Sequence, residues 1–107
     1  LDAGLRLLAH CAIESYAVLT RLPAPHRAPA EVVREFLETR FGEPWLRMEP
    51  EAYRAFVLGL PAAAISGGAA YDALIAATAV QCGARLLSCD RRALPVYQRY
   101  GAQVELL

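Results

Sequence analysis

In the first part of the chain, the spacing of the apolar residues predicts a short apolar element followed by two helices, and prolines separate the two helices. Residues 5–9 (LRLLA) are short and apolar, which predicts either a strand or the end of a helix. Residues 10–22 then carry apolar side chains at helical spacing, and two prolines directly after them end that helix. A proline-rich loop at 23–29 leads into a second predicted helix, which runs up to Gly42 and has an apolar stripe of Val32, Val33, Phe36 and Leu37.

The second part of the chain continues the alternation of helices and strands. The longest predicted helix covers residues 69–82, is apolar almost all round and is therefore expected to be central. Gly83 ends it, and the apolar run at 85–88 that follows is typical of a buried parallel strand. The remaining predicted elements are a short strand at 45–48, a helix between Pro50 and Pro61, a helix at 91–100 and a last strand at 103–107.

Strands that alternate with helices indicate an α/β layered fold with a mainly parallel sheet. At 107 residues and 56% apolar, the chain is expected to fold as one domain, 1–107. It begins at Leu1 rather than Met, so we expect it to be a processed or trimmed piece of a longer chain. Apolar runs of about 18 residues are missing from the sequence, as is a signal-peptide pattern, so we expect a cytoplasmic protein with no membrane partner.

Charge and cysteine content narrow the function classes. Eleven basic and eleven acidic residues give a formal charge of zero, which excludes a strongly basic nucleic-acid binder but not a local basic patch. Cys11, Cys82 and Cys89 lie in apolar stretches without a Cys-x-x-Cys pair, and we expect small core residues in a reducing compartment. A zinc site of His10 with these cysteines is an alternative, although the usual ligand spacing is missing.

Three acidic residues lie close to the ends of predicted strands or helices. Asp90 comes directly after the strand at 85–88, Asp72 is near the start of the central helix, and Glu14 follows the stretch at 5–9. Sites in parallel sheets form beyond the carboxyl ends of the strands, so these carboxylates are predicted to meet at one edge. Their repulsion requires a cation, and ligands that are all oxygen favour Mg²⁺ or Mn²⁺ over zinc.

Each acid also has a structural interpretation that the sequence leaves open. Asp72 could simply complement the positive end of its helix, and Asp90 could be an N-cap of the next helix. Glu14 could be a first-turn acid or pair with a nearby arginine. Ser88, two residues before Asp90, is predicted to point the same way and to bond a carboxylate or a metal-bound water.

Phosphate contacts would come from arginines close to these acids. Arg91 and Arg92 follow Asp90 directly, and Arg21 shares a helix face with Glu14. A solvated or ion-paired surface role is the alternative for each of these arginines.

Two stretches of the sequence resemble one protein family. YDALIAATAVQCGARLLSCD resembles the carboxyl-terminal half of PIN-domain ribonucleases, especially the VapC-type toxins of bacterial toxin–antitoxin pairs. AHCAIESYAVLTRLP resembles their second motif, and residues 101–107 fit their last strand. The resemblance implies a PIN-like three-layer α/β/α fold in which Glu14, Asp72 and Asp90 hold the divalent metal beside the hydroxyl of Ser88.

The resemblance also implies an activity and partners. Members of the family cleave single-stranded or looped RNA with a metal-activated water, which leaves a 5′-phosphate. VapC-type toxins are usually homodimers, held inactive by a cognate VapB-type antitoxin whose tail fills the active-site groove. We therefore expect a cytoplasmic Mg²⁺- or Mn²⁺-dependent endoribonuclease.

One departure from the family pattern bears on activity. The family opens with a central strand that ends in an aspartate, and Asp2 is a poor substitute for it. We expect the central first strand to be absent from this chain and the chain itself to be weakly active or inactive. The alternative function is a catalytically inactive PIN-like module that binds an antitoxin-like partner. A phospho-acceptor domain built on Asp90 is disfavoured, since such domains use a lysine and this chain has none.

Overall fold

The computed structural model describes residues 4–107, and Asp2 lies outside that range. The chain divides into two compact units, Leu1–Leu46 and Arg47–Leu107, each of which has its own helices and its own strand pair. That the whole chain forms one domain stays a prediction.

The first unit contains two strands and two helices. They are β1 (Arg6–Leu8), α1 (Ala9–Arg21), α2 (Ala30–Arg40) and β2 (Gly42–Leu46). The two strands pair in parallel, with Arg6 beside Gly42 and Leu8 beside Leu46. The Arg6 guanidinium also donates to the carbonyl oxygen of Pro44 at 3.3 Å. Helix α1 packs against both α2 and β1, so the two helices lie next to each other within this unit.

Helical spacing predicted the helices of the first unit well but their buried faces only in part. Val33 and Leu37 of α2 are buried as expected. Val32 and Phe36, which the predicted stripe includes, are 57% and 42% exposed. The turn of 100° per residue separates these two pairs around the helix, so only one pair can face the rest of the unit. On α1, Ala12 is buried, whereas Ile13 and Val18 of the apolar positions at helical spacing are 63% and 41% exposed.

The second unit carries a strand–helix–strand arrangement preceded by two helices. Its elements are α3 (Pro50–Gly59), α4 (Ala69–Gln81), β3 (Leu86–Ser88), α5 (Leu94–Arg99) and β4 (Val104–Leu106). Strands β3 and β4 are parallel, and their register runs from Leu86 beside Val104 to Ser88 beside Leu106. Parallel neighbours require a crossover connection, and α5 supplies it here.

Helix α4 provides much of the core of the second unit. Ala73 and Ala76 are completely buried, and small side chains at these positions let α4 approach the neighbouring α5 closely. Gly83 follows the helix with φ at +67°, the left-handed conformation that ends helices and that glycine adopts without strain. The prediction of a central helix is thus confirmed for this face, whereas Tyr71, on the opposite side, is 58% exposed and Val80, near the end of the helix, is 47% exposed.

The predicted α/β class with parallel strands is confirmed, although two details of the prediction were wrong. The strand expected at 45–48 lies at Gly42–Leu46, because its backbone pairing with β1 decides its position rather than the apolar run. Cys82 and Cys89 are exposed and not core residues, since they follow the ends of α4 and β3, where the chain reaches the surface. Across residues 4–107 every helix is too short or too polar to cross a membrane.

Candidate active site

The turn after β3 holds Asp90 in a defined place. Its Oδ1 atom accepts hydrogen bonds from the backbone N–H groups of Arg92 at 3.0 Å and Ala93 at 3.2 Å. These bonds cap the turn at residues 91–93 that leads into α5. The N-cap of α5 itself is Ala93, so the prediction of Asp90 as the helix N-cap was wrong and its carboxylate caps the preceding turn instead. Only one carboxylate oxygen takes part in these bonds. The cap and a metal-binding role are therefore compatible.

The hydroxyl of Ser88 fixes the backbone on the other side of Asp90. Its Oγ accepts a hydrogen bond from the Asp90 N–H at 3.0 Å. The sequence predicted a bond to a carboxylate or a metal-bound water, and the structure gives this bond to the main chain instead. The backbone N–H two residues later in the chain is a donor that a serine side chain reaches easily, which explains this bond. The hydroxyl hydrogen can still donate to another oxygen.

Asp72 lies in the first turn of α4, where the sequence predicted it. The Gly67–Gly68 turn precedes the helix, with φ at +61° for Gly67. The side chain is half-buried, one residue before the fully buried Ala73. The N–H groups of a helix start favour an acidic side chain nearby, which is a structural reason for an aspartate at this position.

Glu14 is in the first unit, on α1. Its side chain is 54% exposed, and its Oε1 lies 3.2 Å from Nε2 of His10, one helical turn earlier. Burial raises the pKa of the Cys11 thiol, and the negative charge of Glu14 raises it further. His10 is thus a neighbour of this acid that the family motif did not point to, although the spacing of four residues was a signal for it.

The arginines predicted to contact phosphate are accessible. Arg91 and Arg92 are exposed in the turn that Asp90 caps, and Arg21 is exposed in the last turn of α1. Arg21 is seven residues from Glu14, two helical turns along the same face. Arg27, by contrast, uses its Nε to donate to the carbonyl oxygen of Leu22 at 2.8 Å and so caps the end of α1.

The structure groups the predicted site residues by unit. Asp72, Ser88 and Asp90 belong to the second unit and Glu14 to the first. Within residues 4–46 and within residues 47–107, taken separately, no three His, Cys, Asp or Glu side chains come close enough to hold a metal ion. The predicted three-acid site draws on both units, and it stays a prediction. Its donors are carboxylate oxygens, which fit Mg²⁺ or Mn²⁺.

Comparison with known proteins gives one consistent result. The chain is 41% identical over all 107 residues to Ribonuclease VapC40 of Mycobacterium tuberculosis, in the CDC 1551 / Oshkosh and ATCC 25618 / H37Rv strains, and covers 80% of that relative. It is 38% identical over 99 residues to Ribonuclease VapC27 of the H37Rv strain, an alignment of 92% of this chain and 71% of that one.

Two other comparisons were negative, since no protein-family model matches the chain and no solved structure matches it. Identity near 40% over the whole length is nevertheless far above what unrelated sequences share, and the α/β architecture with parallel strands agrees with it. The chain belongs to the VapC-type family of PIN-domain ribonucleases.

Proposed function

We propose that this protein is the toxin of a toxin–antitoxin pair, an endoribonuclease that hydrolyses RNA phosphodiesters with the help of Mg²⁺ or Mn²⁺. The observation that carries the proposal is the 41% identity to Ribonuclease VapC40 along the entire chain. The positions of the acids support it. Asp72 begins a helix and Asp90 follows a parallel strand, where carboxylates are available to a substrate.

Glu14, Asp72 and Asp90 would hold the cation. When bound, such an ion supplies a Lewis acid and lowers the pKa of a coordinated water. The capping bonds to Asp90 Oδ1 hold that carboxylate in one orientation and use only one of its two oxygens, which would leave the other for the cation. Ser88 acts as a positioning residue, because its hydroxyl fixes the Asp90 backbone.

Arg21, Arg91 and Arg92 would bind the RNA backbone. All three are exposed, and Arg91 and Arg92 lie in the turn that the Asp90 carboxylate caps. Arginine forks match phosphate oxygens, so these residues would position the scissile phosphodiester near the acids and give binding a salt dependence.

The same family membership supports a proposal on partners and location. We propose a cognate VapB-type antitoxin as inhibitor, a homodimeric toxin and a cytoplasmic site of action. The second candidate function is an inactive interaction module that keeps the antitoxin-like partner but not the chemistry.

An RNA cleavage assay separates these functions. The purified chain is incubated with a labelled RNA carrying single-stranded and hairpin regions, with Mg²⁺, with Mn²⁺ or with EDTA. We expect cleavage that is weak in this chain, needs the metal, leaves 5′-phosphate ends and disappears in Asp72→Asn. The control variant Glu51→Gln removes one exposed carboxylate from the first turn of α3 and should cleave like the parent.

The same assay is repeated on a chain extended at its N-terminus by a strand that ends in aspartate. Greater activity in the extended chain supports the view that the family's first acid completes the site. If both chains bind an antitoxin-like partner yet neither cleaves RNA with either metal, the nuclease proposal is wrong and the interaction module is favoured.

A further inference from the structure

A groove of about 470 Å³ lies within the first unit, lined by α1, α2 and β2. Three aromatic rings line it, one from α1, one from the end of α2 and one from β2: Tyr16, Phe41 and Trp45. Three carboxylates line it as well: Glu31, Glu38 and Glu43. None of these residues has a part in the proposed RNA chemistry.

The rings of the groove present apolar surface to water. Tyr16 is 39% exposed and Trp45 is 41% exposed. Phe41 packs edge-to-face against Phe36, with ring centroids 5.8 Å apart, so its orientation is fixed. The faces of aromatic rings carry partial negative charge and attract cations, above all the planar guanidinium group.

The charged residues of the groove also favour a cationic ligand. Three carboxylates against the single guanidinium of Arg34 leave a formal charge of −2 at a surface of a chain whose net charge is zero. Glu31 and Glu38 are seven residues apart on α2 and therefore lie on one helix face. A surface of this sign repels the phosphates of RNA and attracts cationic groups.

The groove also faces away from the proposed nuclease acid of the same unit. Tyr16 follows Glu14 by two residues, and two residues turn an α-helix by about 200°. The Tyr16 ring and the Glu14 carboxylate are thus on different faces of α1. A ligand in the groove would leave Glu14 accessible.

We propose that this groove docks a basic peptide segment of a partner protein, with an arginine side chain seated between the rings and paired with Glu31 and Glu38. The volume is within the range of roughly 300–1,000 Å³ typical of ligand sites and holds a few side chains. Because the Tyr16 and Trp45 side chains are about 40% exposed, the groove would bury little of a small free cation. A peptide covers more of this surface through its neighbouring apolar residues. The inference rests on the first unit alone and does not depend on the nuclease proposal.

The chain carries a reporter in this groove, because Trp45 is its single tryptophan. The probe is a blocked ten-residue peptide of alternating arginine and leucine, which is free of tryptophan. We expect a saturable change in Trp45 emission on its addition. A peptide with glutamate in place of arginine, a single-stranded RNA oligonucleotide and N-acetylarginine amide should each leave the emission unchanged at the same concentration.

Charge variants of the groove test the contacts. In the double variant Glu31→Gln/Glu38→Gln the basic peptide should bind about tenfold more weakly, as the loss of two exposed ion pairs predicts. Arg34→Gln removes the one repelling cation and should strengthen binding by about threefold. Glu51→Gln, in the second unit, should bind like the parent. The opposite signs of these effects cannot come from unfolding.

Four results would overturn the proposal. They are an emission that the basic peptide leaves unchanged, equal affinities in the parent and the double variant, weaker binding in Arg34→Gln, and an equal response to RNA or to N-acetylarginine amide. The last of these results would identify the groove as a nucleic-acid surface or as a site for small cations.

Discussion

The two units of this protein place their predicted metal-binding acids in different surroundings. In the second unit, Asp90 is part of the architecture, since its Oδ1 caps the turn before α5 and its N–H is held by Ser88. In the first unit, Glu14 is 54% exposed and pairs with His10 of its own helix. Substitution of Asp90 is therefore expected to change both RNA cleavage and stability. Substitution of Glu14 is expected to change RNA cleavage and leave stability nearly unchanged.

The largest predicted effect is at Asp90, where two substitutions separate charge from capping. Asparagine keeps an oxygen that accepts the bonds from Arg92 and Ala93 but lacks the negative charge, whereas alanine lacks both. We expect RNA cleavage to fall by about 100-fold or more in both variants. The free energy of unfolding should fall by about 1 kcal/mol in Asp90→Ala only. Denaturant titration and the cleavage assay measure the two effects.

The matched substitution in the first unit is Glu14→Gln. It should reduce cleavage as strongly as Asp90→Asn. It should leave the free energy of unfolding within about 0.5 kcal/mol of the parent, because the Glu14 side chain is 54% exposed and solvent screens its interaction with His10. A loss of stability at Glu14 equal to that of Asp90→Ala would contradict the contrast between the two units.

A smaller effect is predicted at Ser88. Ser88→Ala removes the acceptor of the Asp90 N–H, so the free energy of unfolding should fall by about 1 kcal/mol. Ser88→Thr retains the hydroxyl and should restore both stability and cleavage. Cleavage in Ser88→Ala should fall less than in Asp90→Asn, since the serine positions the turn. Equal activity losses in the alanine and threonine variants would exclude this positioning role.

The smallest effect concerns Cys11 in the first unit. Its pKa is raised by burial first and by Glu14 second, so the folded state favours the neutral thiol. The stability it contributes is complete at pH values below the pKa of the unfolded thiol. As the pH rises from there through the raised folded pKa, the contribution is lost. Denaturant titrations between neutral and alkaline pH should show a decline that is less steep in Cys11→Ala.

Glu14→Gln tests the second cause of that shift. Removing the carboxylate lowers the pKa of Cys11, so at a fixed mildly alkaline pH the thiol should react about twofold faster with a disulfide reagent. Because Cys82 and Cys89 are exposed and also react, the rate is measured in a variant with serine at both positions. An unchanged or slower rate would mean that Glu14 does not act on this thiol.

The sequence predicted best those elements whose ends carry strong local signals. Pro50 begins α3 and Gly83 follows α4, because the fixed φ of proline and the left-handed φ of glycine act whatever the surroundings. The position of β2 was predicted poorly, since pairing with β1 determines it and that partner lies more than thirty residues earlier. Pro44 is tolerated within β2 because this strand has a partner on one side only among the described strands.

In the candidate site, too, some features could be predicted from the sequence and others could not. The position of Asp72 in the first turn of α4 and of Asp90 after β3 followed from the sequence. The bond from Asp90 N–H to Ser88 did not, because a hydroxyl has several possible partners and only the local backbone geometry selects one. The groove with Tyr16 and Trp45 was also missed, since its lining comes from three elements that are separate in sequence.

The central proposal is that Glu14, Asp72 and Asp90 each contribute to the binding of one cation, and a Mn²⁺ titration tests it most directly. Bound Mn²⁺ is measured by the loss of its free electron paramagnetic resonance signal in the parent, Glu14→Gln, Asp72→Asn, Asp90→Asn and the control Glu51→Gln. We predict one site that each of the first three substitutions weakens by at least about tenfold, a loss of about 1.4 kcal/mol or more. An affinity unchanged by Glu14→Gln would contradict the claim.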